Sequence, residues 1–354
     1  MTSTEARASR LPKGDLERIV AAAEGDLRAF RGQSIFVTGG TGFIGSWMTD
    51  AFLFADDMLS LGLRLRLITR NPDRFAVLYP HLAGDSRVTV VAGDVRTLDH
   101  DGNSYDTVIH GATDASARLN AENPLLMSDT IVEGTRRTLE FARRAGASGV
   151  LMMSSGGVYG KFRAGITHIR EDDEGGPDPM DPYYTYSESK RMAELLCAIH
   201  AKQFGMHVPV ARIFALVGPR LPLDAHFAAG NFIRDALAGG PIRVAGDGTA
   251  VRSYLYAADL VVWLLRVLVR GRSGRAYNVG SDHAVSIRAL AEAVAAASGD
   301  SPAIEIAGNP GASNPVNYYV PDVSRARDEL DLDILTPLDE ALARTLAWNR
   351  SGKL

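Results

Sequence analysis

Ser34-Ile35-Phe36-Val37-Thr38-Gly39-Gly40-Thr41-Gly42-Phe43-Ile44-Gly45 is an apolar run that breaks into a glycine-rich turn, after which Ser46-Trp47-Met48 opens a helix. Glycines at 39, 42 and 45 give a G-x-x-G-x-x-G spacing. In a strand–turn–helix unit that binds a dinucleotide, each has a task. The first permits the tight turn, the second lets the backbone approach a pyrophosphate, and the third lets helix and strand pack closely. The pyrophosphate then rests on the unpaired N–H groups at the helix N-terminus, so Thr41, Phe43 and Ile44 join the three glycines as cofactor-binding candidates. A glycine triplet alone also describes an ordinary turn; the strand before it and the helix after it favour the nucleotide reading.

Working outward, the rest of the chain alternates strands with helices. Strands are expected at Leu63–Thr69, Val88–Ala92, Thr107–His110, Gly149–Ser154 and His207–Ile213, with helices near 46–61, 123–145 and 184–204. That alternation predicts an α/β fold, a Rossmann-type doubly wound parallel sheet with helices on both faces. Past Gly218-Pro219 the pattern changes. Helices near 228–238, 257–270, 286–298 and 337–349 and a strand at 242–244 predict a smaller C-terminal α/β substrate-binding lobe. The expected organisation is an N-terminal extension over 1–32, a nucleotide-binding domain mainly over 33–220, and the second lobe mainly over 221–354, with the two lobes interleaved. Residues 1–13 read as a disordered lead. Leu16, Ile19, Val20, Ala23, Leu27 and Phe30 then recur at helical spacing, which predicts an amphipathic helix packed outside the core.

The bulk composition excludes several classes. The 354 residues are 46% hydrophobic and 23% charged with a formal net charge of −4, which is globular and gives no reason to expect nucleic acid. The single cysteine, Cys197, excludes an internal disulfide framework and, beside Leu195, Leu196 and Ile199, reads as a buried apolar filler. Met1–Lys13 lacks the apolar segment of a signal peptide. Leu260–Val269 is too short for a membrane span and contains Arg266. A soluble, cytoplasmic protein with no membrane partner and no metal is expected.

Three strand ends address the cofactor. An acid at the end of the second strand would accept from the adenosine ribose 2′-hydroxyl, whereas an arginine accommodates a 2′-phosphate. Here the stretch is Leu67-Ile68-Thr69-Arg70-Asn71-Pro72, without an acid, so the expectation is NAD(P) with a lean toward NADP(H) through Arg70. A solvated loop arginine is the equal alternative at this point. Gly93-Asp94-Val95 ends the third strand, where the Asp94 carboxylate is placed to accept from the adenine amino group. His110-Gly111-Ala112-Thr113 ends the fourth, and small residues such as Ala112 let the backbone pass beside the cofactor.

The chemistry is carried by Tyr186-Ser187-Glu188-Ser189-Lys190 and Met153-Ser154-Ser155-Gly156-Gly157-Val158-Tyr159-Gly160. Tyrosine and lysine four apart on a helix share one face. A phenol with a pKa near ~10 is a poor base at neutral pH, but an adjacent ammonium and an oxidised nicotinamide favour the phenolate. Ser155 stands at the C-terminal end of a strand, the edge where open α/β sheets bind ligands, and its hydroxyl can donate to and accept from a substrate oxygen.

Thr38–Gly45, Ser154–Gly160, Tyr186–Lys190 and Gly218-Pro219 together resemble the extended short-chain dehydrogenase/reductase family, in its branch of NAD(P)-dependent nucleotide-sugar epimerases, dehydratases, decarboxylases and reductases. The resemblance continues through Gly246-Asp247-Gly248, Arg252-Ser253-Tyr254, Asp259-Leu260 and Tyr277-Asn278-Val279-Gly280, covering about 33–349. It implies that Tyr186 is the general acid/base, that Lys190 orients the cofactor ribose and tunes the tyrosine, and that Ser155 holds the reacting sugar oxygen. It also implies a nucleoside-diphosphate sugar gripped by the second lobe, with Arg252 on phosphate and Asn231 near the sugar or diphosphate, and a homodimer formed through the helix of Tyr186 and the helix before it. Departures bear on the reaction. Dehydratases of this kind carry acids after the active-site serine or threonine, and UDP-glucuronate decarboxylases a glutamate two residues on, where this chain has Gly156 and Gly157. Ala215 and Val217 replace the family's usual asparagine and tyrosine. The resulting expectation is an epimerase acting through transient oxidation to a keto sugar, with room beside Gly156 and Gly157 for the sugar to turn over. A 4-keto-sugar reductase, a dehydratase or decarboxylase, and a non-catalytic cofactor-binding scaffold are the alternatives.

Overall fold

The structure is a computed structural model that describes residues 10–113, 116–173, 175–225, 227–308 and 316–352. In chain order they form α1 (Lys13–Arg28), β1 (Ser34–Thr38), α2 (Phe43–Leu59), β2 (Arg64–Thr69), α3 (Pro72–Leu78), α4 (Pro80–Ala83), β3 (Val88–Ala92), β4 (Thr107–His110), α5 (Ala117–Glu122), α6 (Pro124–Arg144), β5 (Gly149–Ser155), α7 (Thr185–Phe204) and β6 (Val210–Ile213). After these come β7 (Leu216–Val217), α8 (Ala228–Leu237), β8 (Ile242–Val244), β9 (Val251–Arg252), β10 (Leu255–Tyr256), α9 (Ala257–Arg270), β11 (Ala276–Val279), β12 (Val285–Ser286), α10 (Ile287–Ser298), β13 (Ile304–Ile306), β14 (Tyr318–Tyr319), α11 (Ser324–Leu330) and α12 (Leu338–Ser351).

The central sheet has seven strands in the order β11-β6-β5-β4-β1-β2-β3, with parallel registers such as Val37 opposite Leu67 and Ile109. The order reverses direction between β1 and β4, and that switch point is where an open parallel sheet makes its ligand crevice. All four residues of β4 are buried, as expected for a strand covered on both faces. Helix boundaries are set by local chemistry. The Asn123 side chain accepts from Leu126 N at 3.2 Å ahead of Pro124 in the first turn of α6, while Arg143 and Arg144 close its last turn. α7 stops at Gly205, whose φ of 66° only glycine adopts without strain.

The chain forms two compact units. The first comprises residues to Ser154, Pro179–Ala211 and Val261–Tyr277; the second comprises Ser155–Asp178, Arg212–Leu260 and Asn278–Leu354. The break foreseen near residue 220 is crossed in both directions. Residues 155–178 join the second unit early, and 261–277 return to the first, where β11 takes the sheet edge beside β6. Tyr277-Asn278-Val279 is too short an apolar run to announce itself as a strand. The core of the first unit is Phe36, Val108, Met127, Leu139, Phe141, Val150 and their neighbours, with Cys197 fully buried among them and its thiol pushed up by burial.

α1 packs as foreseen. Leu16, Ile19, Val20, Ala23, Leu27 and Phe30 are all buried, and Asp26, 1% exposed, accepts from Arg266 Nε at 3.0 Å and Arg270 Nε at 2.6 Å on α9. The helix begins at Lys13 rather than Asp15, and Leu11 before it is buried, so the foreseen disordered lead is not disordered to residue 13. Residues 1–9 of that lead lie outside the described residues. Among the described residues no helix is long and apolar enough to cross a membrane.

Candidate active site

In the first unit the glycine turn runs from β1 into α2. Gly39 has φ +74°, and a Cβ there would stand 2.5 Å from the Gly111 carbonyl carbon and oxygen. A Cβ on Gly45 would overlap the Gly39 carbonyl oxygen and lie 2.5 Å from Gly40 Cα, so helix and strand meet backbone to backbone. α2 starts after Gly42 without a side-chain cap, which leaves Phe43 and Ile44 presenting main-chain N–H groups at the positive end of the helix. Beneath the turn lies a buried polar chain that no motif in the sequence announces. His110 Nδ1 is 2.8 Å from Thr38 Oγ1, and His110 Nε2 is 3.0 Å from Thr135 Oγ1. Ala112 N donates to Thr38 Oγ1 at 3.2 Å, and Gly111 N to Thr38 O at 3.0 Å, tying the ends of β1 and β4 together. Burial, and then the nearby Lys190 charge, push the His110 pKa down to about 3, so its imidazole is neutral.

The other cofactor candidates are arranged less simply. Arg70 is exposed after the end of β2. Asp94 is committed to Arg96: Oδ1 accepts from Arg96 N at 2.9 Å and Nε at 3.0 Å, and Oδ2 accepts from Nη2 at 2.7 Å. That hydrogen bonding holds its carboxyl below the usual range, so an adenine amino group would share acceptor oxygens already in use. Val95 is buried, with Cγ1 2.9 Å from where a Cβ on Gly134 of α6 would stand; its side chain packs on the helix. Ala112 is partly exposed beside the turn.

Tyr186 and Lys190 stand on α7, with Lys190 Nζ 6.0 Å from the centre of the Tyr186 ring. Lys190 is 4% exposed and donates to the Met153 carbonyl at 2.9 Å. Burial draws its pKa down to about 8, opposed by the charge of Glu194. The start of α7 is set by Asn120 of α5, which accepts from Tyr186 N at 3.0 Å and donates from Nδ2 to the Tyr183 carbonyl at 2.9 Å. Asn120 was invisible in the sequence because it lies 66 residues from its partner.

The second unit begins with Ser155, whose hydroxyl accepts from Gly157 N at 3.0 Å. The room foreseen beside Gly156 is filled. A Cβ at Gly156 would stand 2.7 Å from Phe214 Cε1 and Cζ and from the Tyr319 hydroxyl oxygen. The Phe214 and Tyr319 rings pack with centroids 4.8 Å apart. The space that the missing side chain of Gly156 would have left is thus taken by two aromatic side chains. Arg252 of β9 stands opposite Tyr319 of β14 in register, its guanidinium 6.0 Å from that ring centre. Half-buried, Arg252 has its pKa lowered by desolvation, and Nη1 donates to the Val251 and Asn317 carbonyls at 2.8 Å. Asn231 on α8 accepts from Arg234 Nη1 at 3.1 Å. Tyr159, Asn278 and Arg212 form a frame: Tyr159 OH donates to Asn278 Oδ1 at 2.7 Å and accepts from Arg212 Nη1 at 2.8 Å. Asn278 N donates to Glu171 Oε1 at 2.7 Å.

The first unit's residues fit a nicotinamide dinucleotide. The turn admits no Cβ at Gly39 or Gly45, the α2 N-terminus is uncapped, and Lys190 presents a buried cation. The buried hydroxyl of Thr113 at the end of β4 has no hydrogen-bond partner among the described residues. No cluster of His, Cys, Asp and Glu that could hold a metal ion occurs among the described residues.

Comparison with known proteins agrees with this architecture. A sequence model of the NAD dependent epimerase/dehydratase family matches residues 35–280. UDP-glucuronic acid decarboxylase 1 of Arabidopsis thaliana is 30% identical over 315 residues, covering 88% of this chain and 69% of that protein. DesIV, a dTDP-glucose 4,6-dehydratase of Streptomyces venezuelae solved with NAD bound, superposes with a TM-score of 0.74 at 25% identity, covering 90% of this chain and 97% of that one. The UDP-glucose 4-epimerase of Thermotoga maritima, solved with UDP-glucose, shares the fold with a TM-score of 0.75 at 22% identity, over 91% and 100% of the two chains. With its seven-stranded Rossmann-type sheet, glycine turn and Tyr186–Lys190 pair, the chain belongs to the NAD dependent epimerase/dehydratase family of extended short-chain dehydrogenases/reductases.

Proposed function

We propose that this protein is an NAD(P)-dependent epimerase of a nucleoside-diphosphate sugar that works by transient oxidation to a keto sugar. The observation that carries the reading is the pairing of an intact Tyr186–Lys190 couple with a Ser155 that no carboxylate follows, the place beside Gly156 being taken by Phe214 and Tyr319. The nicotinamide supplies hydride acceptance and return. Tyr186 takes the proton of a sugar hydroxyl and gives it back, and the Lys190 ammonium favours its phenolate form. Ser155 holds the reacting oxygen, Arg252 pairs with the diphosphate and Asn231 lies along it. Elimination of water needs an acid and a base beyond the tyrosine, and the positions after Ser155 supply neither. Arg70 after an acid-free β2 end supports preference for the 2′-phosphorylated cofactor.

The 30% identity to a UDP-glucuronic acid decarboxylase favours one second reading. Oxidation of a ring hydroxyl β to a carboxylate gives a β-keto acid, which loses CO2 without a dedicated acid, so the glycines after Ser155 do not forbid decarboxylation. The experiment is incubation with UDP-, dTDP-, GDP- and CDP-hexoses and UDP-glucuronate, with NAD or NADP, products read by NMR and absorbance near ~340 nm followed. An inverted carbon without net absorbance change supports the epimerase, loss of CO2 the decarboxylase, and stoichiometric consumption of reduced cofactor with a keto sugar the reductase. Tyr186→Phe should abolish turnover while keeping cofactor binding; a fully active variant would refute the mechanism.

Exposed Met192, Leu195 and Ile199 succeed one another along α7, and they support a homodimer through α6 and α7. Ile199→Arg should then convert the dimer to a monomer in light scattering.

A further inference from the structure

Two side chains of α7 grip the end of β5. Lys190 Nζ donates to the Met153 carbonyl at 2.9 Å, and the hydroxyl of the next residue, Ser154, donates to Glu194 Oε1 at 2.6 Å. Tyr186, Lys190 and Glu194 succeed one another at four-residue steps, so phenol, ammonium and carboxylate run along one face of one helix. Lys190 and Ser154 are both 4% exposed. Glu194 itself is half-buried, and the buried Ser154 hydroxyl is a protein partner of its carboxylate.

We propose that Glu194 is a positioning residue of the catalytic apparatus: anchored by Ser154, its carboxylate ties α7 to the end of β5 and serves as the counter-charge of the buried Lys190 ammonium one turn before it. The inference rests on the reading of Tyr186 and Lys190 as the acid/base couple. Burial alone disfavours an ammonium, and it is the largest influence on Lys190. The groups that face Lys190 come from three elements. His110 of β4 is neutral. From β5 come the Met153 carbonyl and, through Glu194, the Ser154 hydroxyl. On α7 itself stand the Tyr186 ring, Cys197 and Glu194; the Cys197 thiol is raised by burial and stays protonated near neutral pH. Among the described residues this leaves Glu194 as the anion that opposes desolvation of Lys190. Without it Lys190 would lose its proton nearer neutrality, and with the proton its influence on Tyr186 and its donors toward a cofactor ribose.

The chain has five lysines, at 13, 161, 190, 202 and 353, so a protein labelled with 13C at lysine Cε gives a readable NMR spectrum, and Lys190→Arg assigns the resonance of Lys190. The full-length protein is titrated with and without NAD. In the wild type the Lys190 resonance should turn over near about 8. In Glu194→Gln the midpoint should fall by about one pH unit, the usual effect of losing one close opposite charge. In Glu194→Asp, which keeps the charge one methylene farther away, it should fall less. Coincident midpoints in the wild type and either variant overturn the proposal, so a Gln variant that does not fold leaves the Asp variant to decide. No sugar is used. If no nucleotide sugar is turned over, the proposed reaction fails while the titration still stands.

Discussion

Gly156→Ala tests whether Phe214 and Tyr319 dictate the residue next to Ser155. The new methyl would stand 2.7 Å from Phe214 Cε1 and Cζ and from the Tyr319 hydroxyl, about 1 Å inside the ordinary ~3.5–4.0 Å separation of non-bonded carbons. Phe214 has little freedom to retreat. It is 4% exposed, its main-chain N donates to the Val279 carbonyl at 2.9 Å, and its ring lies 4.8 Å from that of Tyr319 and 6.2 Å from that of Tyr159. Overpacking of this kind costs ~1–3 kcal/mol. Urea unfolding of the whole protein, followed by near-ultraviolet circular dichroism, should show a lower midpoint at unchanged slope. Cofactor affinity should stay at the wild-type value, because the glycine turn belongs to the first unit. Phe214→Leu removes the two ring atoms in the way, so the double variant should be less destabilised than the sum of the single ones by about 0.5–3 kcal/mol. An alanine variant as stable as the wild type, or strict additivity with Phe214→Leu, would refute the argument.

Gly45→Ala should abolish NAD binding in a calorimetric titration, because its Cβ meets only main-chain atoms of Gly39 and Gly40 and no side chain can yield. Asp26→Ala removes the carboxylate that binds Arg266 and Arg270 and should lower stability by ~1.5–3 kcal/mol, the worth of a charged hydrogen bond, since Arg266 keeps the Ala22 carbonyl and Arg270 is half-exposed, with α1 released first in hydrogen exchange. His110 sets an acid limb. Its folded pKa lies near about 3, below the 6.5 of the free imidazole, so between these values the unfolded chain binds the proton and the folded chain does not. The contribution to stability is whole above 6.5 and is lost as pH falls toward 3, at up to ~1.4 kcal/mol per pH unit. Urea midpoints measured through this range should flatten in His110→Gln; an unchanged acid limb would remove His110 as its source.

Much of the fold was legible because its signals are local. Val88–Ala92, Thr107–His110 and Ile242–Val244 are strands at the residues foreseen, and α9 occupies 257–270 as foreseen, since each is an apolar run or a helical stripe bounded by its own neighbours. The glycine spacing, the Tyr186–Lys190 interval and the strand end at Ser155 are likewise contained in a few consecutive residues, and the family is evident from their order along the chain. The sequence by itself thus determined the sheet, the glycine turn and the Tyr186–Lys190 spacing on α7.

Only the tertiary structure decided what surrounds them. Asn120 meets Tyr186 across 66 residues, Ser154 meets Glu194 across 40, and Phe214 and Tyr319 converge on Gly156 from far along the chain. No spacing rule encodes such meetings, because they depend on how strands are ordered and how helices are laid against them. The same cause overturned the room imagined beside Gly156. A glycine in a sequence marks a missing side chain, and whether the space is open or taken is fixed by residues that only folding brings there.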